Sequence, residues 1–339
     1  VHIQLLIPDL LFSRPGNQKG AHPLFELDLP SLSMLLDGAV DEESLLDEEY
    51  NLAKSCGLDV ASPHGVAALS AEYEGLSGKE GSWLRADPVR MQISQDSIYC
   101  LGQHNLNLAS QEAQALIDSI NELLQEEGLH LCMGNQPLHW YVQLTEELHT
   151  VPLSRVIGKP ILDYLPKNRA WQKRLTEIQM LLKTHPVNTQ RQKLHLPTVD
   201  SLWLWGQGQY PRLLRSRKDV MYADSDFAKA LALASNLPCF PIPEQMNQIL
   251  DGPYQKILFI SHQLKLALEA GDLAKWQAQV LKLEQGLFLP LLLALKNKVI
   301  DSIVLDFCKG RGHSISRRNL RKWWKRPLSL QSRLGSVDI

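Results

Sequence analysis

The stretch Thr184 to Gly208, THPVNTQRQKLHLPTVDSLWLWGQG, decides how the rest of the chain is read. Its first residues close a helix, His185-Pro186 opens a polar connection, and Leu202-Trp203-Leu204-Trp205 forms a short apolar run between Pro197 and the glycines Gly206 and Gly208. A run bounded in this way has the pattern of a strand buried on both faces. The two glycines let the backbone turn at the strand's carboxyl end, where α/β sheets place their ligands. On this reading everything upstream approaches a sheet and everything downstream completes it. A lone GxG is no better than a turn. The weight therefore falls on the whole stretch, including His185, Asn188 and Arg191 just upstream.

Working outward, 339 residues suffice for one large domain or two ordinary ones with a sizeable core. Lys plus Arg at 35 against Asp plus Glu at 37 gives a net charge of -2, so no global field draws the chain to nucleic acid or an anionic membrane. Five scattered cysteines without a CxxC argue against a disulfide framework and a structural zinc site, and they fit a reducing cytoplasm. The opening VHIQLLIPDLLF has no basic leader and no small-residue cleavage site, and it reads as a first strand. The longest apolar stretch, Leu287 to Leu295, falls short of the roughly 20 residues a spanning helix needs, so no membrane partner is expected.

In chain order, Val1 to Leu6 is expected as a strand ending near Asp9, a position that suits either a turn residue or a metal ligand. Helices are expected over Leu29–Leu36, Glu42–Cys56 and Pro63–Ser70, with His64 at the start of the last. From Trp83 a hairpin around SQDS, a strong amphipathic helix from Ser110 to Gly128, and strands at His130–Met133 and Trp140–Leu144 read as an inserted α+β module. Later elements are a helix over Ala170–Lys183, a helix over Phe227–Ser235, a strand Ile257–Ile260 ending at Ser261-His262, and a helix over Asp272–Lys296 kinked near Gly286 and Pro290. The last is a strand Ile303–Leu305 ending at Asp306. The basic tail from Lys309 to Arg326, with Trp323-Trp324, could serve as a single-strand binder, but a solvated terminal segment with its tryptophans on the core is the commoner case.

Together these pieces resemble the archaeal-type cofactor-independent phosphoglycerate mutases of the alkaline phosphatase superfamily, and more closely the bacterial branch described as RpfE-type regulatory proteins. His185-Pro186, Asn188, Arg191, Pro197 and Trp203-Leu204-Trp205-Gly206-Gln207-Gly208 are similar to the family's HPxN, R and WxWGxG pattern. Asp9, Leu29-Pro30 with Leu32 and Leu36, and Arg85 in WLRAD support it. The resemblance implies an alkaline-phosphatase-like three-layer α/β core with an inserted α+β lid. The expected boundaries are 1–85 and 161–330 for the core, 86–160 for the lid, and 331–339 for a tail.

The resemblance also implies two manganese or zinc ions activating a serine that carries the phosphoryl group. His64 stands where that serine belongs, with Ser62 as neighbour if the register slips. Leu268 and Asp272 stand where the family has Asp and His, and Asp306 is followed by Phe307 where it has His. Asp9, Asp306 and His313 remain as metal ligands, with Asp272 and His262 as further candidates. Arg85, Arg191 and Asn188 are the expected substrate contacts, since guanidinium groups suit phosphate. So reduced a set implies a weak or absent metal. The expectation is a degenerate, regulatory protein that binds phosphoglycerate or a similar phosphorylated metabolite, or a protein partner. An active mutase or phosphatase with a rearranged site is the alternative.

Overall fold

The computed structural model describes residues 1–11, 22–58, 65–95, 97–103, 105–211, 216–269, 271–322 and 330–334. The chain divides into two compact units, Val1–Asp59 with Leu213–Ile339, and Val60–Arg212. The fold is mixed α/β with two sheets. The division does not follow the expected boundaries at 86 and 160, and the reason lies in the opening stretch.

In the first unit a seven-stranded sheet runs in the order β2-β12-β11-β1-β10-β8-β9. These strands are β1 (His2–Leu6), β2 (Val40–Glu43), β8 (Val220–Ala223), β9 (Cys239–Phe240), β10 (Lys256–Ile260), β11 (Ser302–Asp306) and β12 (Arg311–Ser316). The strands from β11 to β9 are parallel, while β12 and β2 add antiparallel at one edge. The register places Ile3, Ile257 and Ile303 side by side, and Leu5, Phe259 and Leu305 beside one another two residues on. That face carries the main core, closed by Leu32, Leu35 and Leu36 of the helix Pro30–Asp37 and by Trp276, Val280, Leu291 and Leu295. Each such side chain contributes roughly 1.5–3 kcal/mol on burial. The opposite face meets the helix Glu48–Ser55, with Gln4 Nε2 donating to Ser55 Oγ at 2.8 Å.

The segment Glu42–Cys56 is therefore not one helix: it is the edge strand β2 followed by a helix from Glu48 to Ser55. The expected kink in the long helix is a π turn over Glu284–Phe288, between Leu273–Leu283 and Leu289–Lys296. Pro290 brings no N–H to the ladder, so the backbone there cannot keep the regular i to i−4 pattern. The turn aims Glu284 at the start of another helix, where its carboxylate accepts the N–H groups of Ser31 (2.5 Å) and Leu32 (3.1 Å). Leu273–Lys296 is by length and composition apolar enough to cross a membrane, and 50% of its most apolar window is buried. This corrects the expectation that no segment reaches spanning length, which counted only the unbroken run.

The second unit holds β3 (Ser82–Ile93), β4 (Ile98–Gly102), β5 (Leu131–Met133), β6 (Trp140–Gln143) and β7 (Ser201–Gln209). Here the decisive stretch takes its place. β7 pairs antiparallel with β3, from Ser82↔Gln209 to Val89↔Ser201. It belongs to the sheet of the inserted unit and is not the resumption of the parallel sheet. Burial on both faces is as expected: Leu202 and Leu204 join the core under the helices Ser110–Leu124 and Arg169–Thr184. Trp203 and Trp205 alternate to the other face.

Gly206 and Gly208 lie inside β7 and form no terminal turn for a ligand. The register slips between Trp83 and Arg85, and Gly206 takes the left-handed φ of 69° that such a bulge favours. A Cβ there would also lie 3.3 Å from Val66 Cβ, so the glycine admits the helix Val66–Tyr73 against the strand.

Candidate functional site

Parallel strands present their carboxyl ends together, and in the first unit four of them end in or near acids or a histidine. β1 leads to Asp9, β8 to Asp224, β10 to Ser261-His262, and β11 finishes in Asp306. Asp9 has a φ of 64°, an uncommon conformation for a residue with a side chain. Its carbonyl accepts Trp276 Nε1 at 3.0 Å, which fixes the turn from the core side.

His262 is held from both sides. Its Nδ1 donates to Asp224 Oδ1 at 3.0 Å, and its Nε2 donates to Glu48 Oε1. The His262 backbone N–H also donates to Asp224 Oδ1 at 2.9 Å, so one carboxylate fixes both the ring and the strand end. Burial lowers the His262 pKa, but the charge of Glu48 and the hydrogen bonds to both carboxylates outweigh it and carry the group up to about 10. Burial raises Glu48, and the neighbouring imidazolium overrides that and brings it down to about 2. Burial, together with the charge of Glu48, raises Asp9, and the same two causes push Glu49 to about 7.

His262 rises from 6.5 to about 10, so its contribution to stability is full below pH 6.5 and is lost as pH climbs through about 10. Glu48 falls from 4.5 to about 2, so its contribution is full above pH 4.5 and is lost as pH drops through about 2. The ion pair is therefore intact across neutrality. Nitrogen-detected imidazole NMR is expected to find His262 doubly protonated at mildly alkaline pH; titration near the ordinary histidine value would contradict the clamp.

Asp306, His313 and Asp272, three of the expected metal ligands, are each committed to other partners. Asp306 Oδ2 accepts Ser44 Oγ at 2.5 Å and its Oδ1 accepts the Cys308 N–H at 2.7 Å. Burial raises the Asp306 pKa, while those two bonds oppose the rise. His313 pairs across the ladder with Leu305, one register position from Asp306, so it faces the other side of the sheet. There it bonds Asp41 Oδ1 at 3.1 Å and packs against Phe307, with ring centroids 5.6 Å apart. Asp272 caps the helix Leu273–Leu283, its Oδ1 accepting the Lys275 N–H at 2.8 Å. His262 has both ring nitrogens committed to carboxylates. Among the described residues no three His, Cys, Asp or Glu side chains form a group able to hold a metal ion. The described residues do not fit the two-metal arrangement. His64 and Ser62 lie outside the described residues.

The expected phosphate contacts are structural members of the second unit. Arg85, Tyr141 and Trp205 sit side by side on three neighbouring strands. The Arg85 guanidinium carbon is 5.0 Å from the Tyr141 ring centre and 5.4 Å from that of Trp205. Its Nη2 and Nε reach Asp87 Oδ1 at 2.7 and 2.8 Å, and Nη1 donates to Tyr141 Oη at 3.2 Å. The network continues from Tyr141 Oη to Glu74 at 2.8 Å and from Glu74 to His139 Nδ1 at 2.7 Å. Arg191, only 2% exposed, donates to Pro197 O (2.7 Å), to Glu112 (2.7 Å) and to Leu106 O. Asn188 spans Leu182 O (2.8 Å) and Val199 O (2.7 Å) and accepts the Val199 N–H at 3.0 Å. His185 accepts the Val187 N–H at 3.2 Å as the cap of the helix Pro186–Lys193, which was expected only as a polar connection. The HPxN and R positions thus tie a helix and a loop into the antiparallel sheet.

Sequence reasoning missed Asp224 and Glu48. Asp224 follows the strand VMYA as Asp9 follows the first, so the same rule would have found it. Glu48 carried no signal, because its partner is 214 residues away.

With this geometry in hand, the chain can be set beside known proteins. No family model matches it. It is 26% identical over 142 residues to the 2,3-bisphosphoglycerate-independent phosphoglycerate mutase of Methanosarcina mazei, covering 39% of this chain and 36% of that one. The counterparts from Methanosarcina acetivorans (26% over 191 residues, 53% of this chain and 47% of the relative) and Methanosarcina barkeri (28% over 161 residues, 45% and 39%) are similar. The chain's distant homologues are phosphoglycerate mutases. The matched stretches span less than half the length of these relatives. The solved structure of the PH0037 protein from Pyrococcus horikoshii superposes with a TM-score of 0.50 at 14% identity, over 95% of this chain and 92% of that one, a likeness of fold.

Proposed function

We propose that the chain is a phosphoglycerate mutase-like protein that has lost two-metal phosphotransfer and acts in a regulatory role of the RpfE type. In this reading it binds a phosphorylated metabolite such as phosphoglycerate, or a protein partner. The first unit would then correspond to the alkaline-phosphatase-like core and the second to the lid. The names of the distant homologues support the mutase-like half.

One observation carries the degenerate half: at the strand ends, where a metal reaction would need free carboxylates and imidazoles, both ring nitrogens of His262 are hydrogen-bonded to carboxylates, those of Glu48 and Asp224. A ring whose two nitrogens are both held by carboxylates offers no free lone pair to a metal. Asp306 is likewise spent on Ser44 and Cys308. Binding without turnover is what this chemistry supports. Calorimetric titration with 3-phosphoglycerate is expected to give a saturable isotherm with no product formed. The absence of any heat at millimolar ligand would remove the metabolite half of the reading.

A further inference from the structure

A parallel sheet with helices on both faces ordinarily carries apolar side chains on both. One face of the first unit breaks that rule at its centre. β1 is the fourth of the seven strands, and its outward register brings His2 beside Lys256 and Ser302, and Gln4 beside Leu258 and Val304. His2, Gln4, Lys256, Ser302 and Val304 floor a cavity of about 490 Å³, with Arg217 and Lys218 on its wall. Its cationic end lies over the amino-terminal ends of β1, β10 and β11, and it runs along the sheet to Asp306 at the carboxyl end of β11.

Three cations gather at one end of the cavity. Arg217, Lys218 and Lys256 make no ion pair with any described residue. Lys218 Nζ donates to the neutral Gln4 Oε1 at 2.7 Å, and Gln4 is itself fixed by Ser55. Burial lowers the Lys218 pKa; the nearby Lys256 charge adds to this and Cys56 opposes it. The adjacent carboxylate, Asp219, accepts the backbone N–H groups of Gln255 (3.0 Å) and Lys256 (2.8 Å) and does not line the cavity. Glu42 and Glu43 line the far end on β2, four strand spacings or roughly 19 Å from β10. Lys54 and Asp306, beside one another, also line it toward that end.

Like charges brought together and partly desolvated cost stability unless an anion joins them. Ammonium groups supply point charges, a guanidinium supplies a planar fork, and the Ser302 hydroxyl, 2.7 Å from His2 Nδ1, supplies a short donor. We infer that Arg217, Lys218 and Lys256, with His2 and Ser302 on the floor, form a binding site for a small phosphate-type dianion at the amino-terminal edge of the parallel sheet. The site does not depend on the mutase-like reading.

Inorganic phosphate is the probe, titrated at low salt into the full chain and followed by calorimetry. Arg217→Gln and Lys256→Gln alter exposed side chains, so folding is preserved, and each is expected to weaken binding roughly tenfold. Lys282→Gln, on the exposed side of the long helix, serves as the bulk-charge control and is expected to leave binding unchanged. No saturable binding by the native chain, or equal weakening by Lys282→Gln, overturns the site. If 3-phosphoglycerate binds and both Gln variants leave phosphate affinity unchanged, this inference fails while the proposed function stands.

Discussion

Asp87→Ala is expected to destabilise the second unit by about 3–5 kcal/mol, the cost of leaving a buried charge without its partner. Asp87 is 1% exposed and Arg85 6%, so water cannot take the lost place. The substitution removes both contacts from Asp87 Oδ1 to the guanidinium and the Oδ2 acceptor of Trp205 Nε1 at 2.7 Å. What remains for Arg85 is Tyr141 Oη and two ring faces. Cation–π contacts contribute roughly 2 kcal/mol even when desolvated, too little to compensate. Urea unfolding followed by tryptophan fluorescence checks this, with a lower midpoint at unchanged slope for the unit's transition. A change within about 0.5 kcal/mol, the range of ordinary surface substitutions, would show that the network is not structural.

Arg191→Ala is the second large effect, with an expected loss of about 3 kcal/mol or more. Three elements lose their common anchor: the Pro197 loop, the Glu112 first turn of the helix Ser110–Leu124, and the segment at Leu106. The Leu106 carbonyl becomes a buried acceptor without a donor and the Pro197 carbonyl a half-buried one, the first alone costing about 1–3 kcal/mol. Arg191→Lys is expected to recover little, because one ammonium cannot reach the three directions that the fork serves. The same unfolding experiment reads the loss, with 3-phosphoglycerate titration beside it. A variant of native stability that bound the phosphoester poorly would restore Arg191 to the substrate-contact role.

These two arginines also show where the sequence was legible. The pattern around Thr184–Gly208 was enough to find a strand buried on both faces and the end of the helix before it, because alternation and glycine punctuation are local properties. It did not reveal which sheet the strand joins. That depends on pairing with β3 more than 110 residues earlier, and antiparallel pairing with a bulge leaves no mark in the apolar run itself. The polar residues of the stretch were expected to face a ligand. Arg and Asn suit phosphate and backbone carbonyls equally well, and only the coordinates of Pro197, Leu106 and Val199 decide between them.

At the parallel sheet, local rules found Asp9, His262 and Asp306 at strand ends. They could not see that Glu48 and Asp224 would close on His262, or that strand parity would turn His313 away from Asp306. Arg85 and Asp87 carried an unread signal: residues two apart on a strand share a face, so WLRAD already held a same-face ion pair.

The central claim is that a phosphoglycerate mutase-like chain has kept its framework and given up the metal-dependent reaction at its strand ends. A coupled mutase assay on the full chain with added manganese tests this most directly. No turnover above the uncatalysed rate, with or without the metal, is the predicted result. Manganese-dependent turnover that disappears in Asp306→Ala or Asp9→Asn would contradict it.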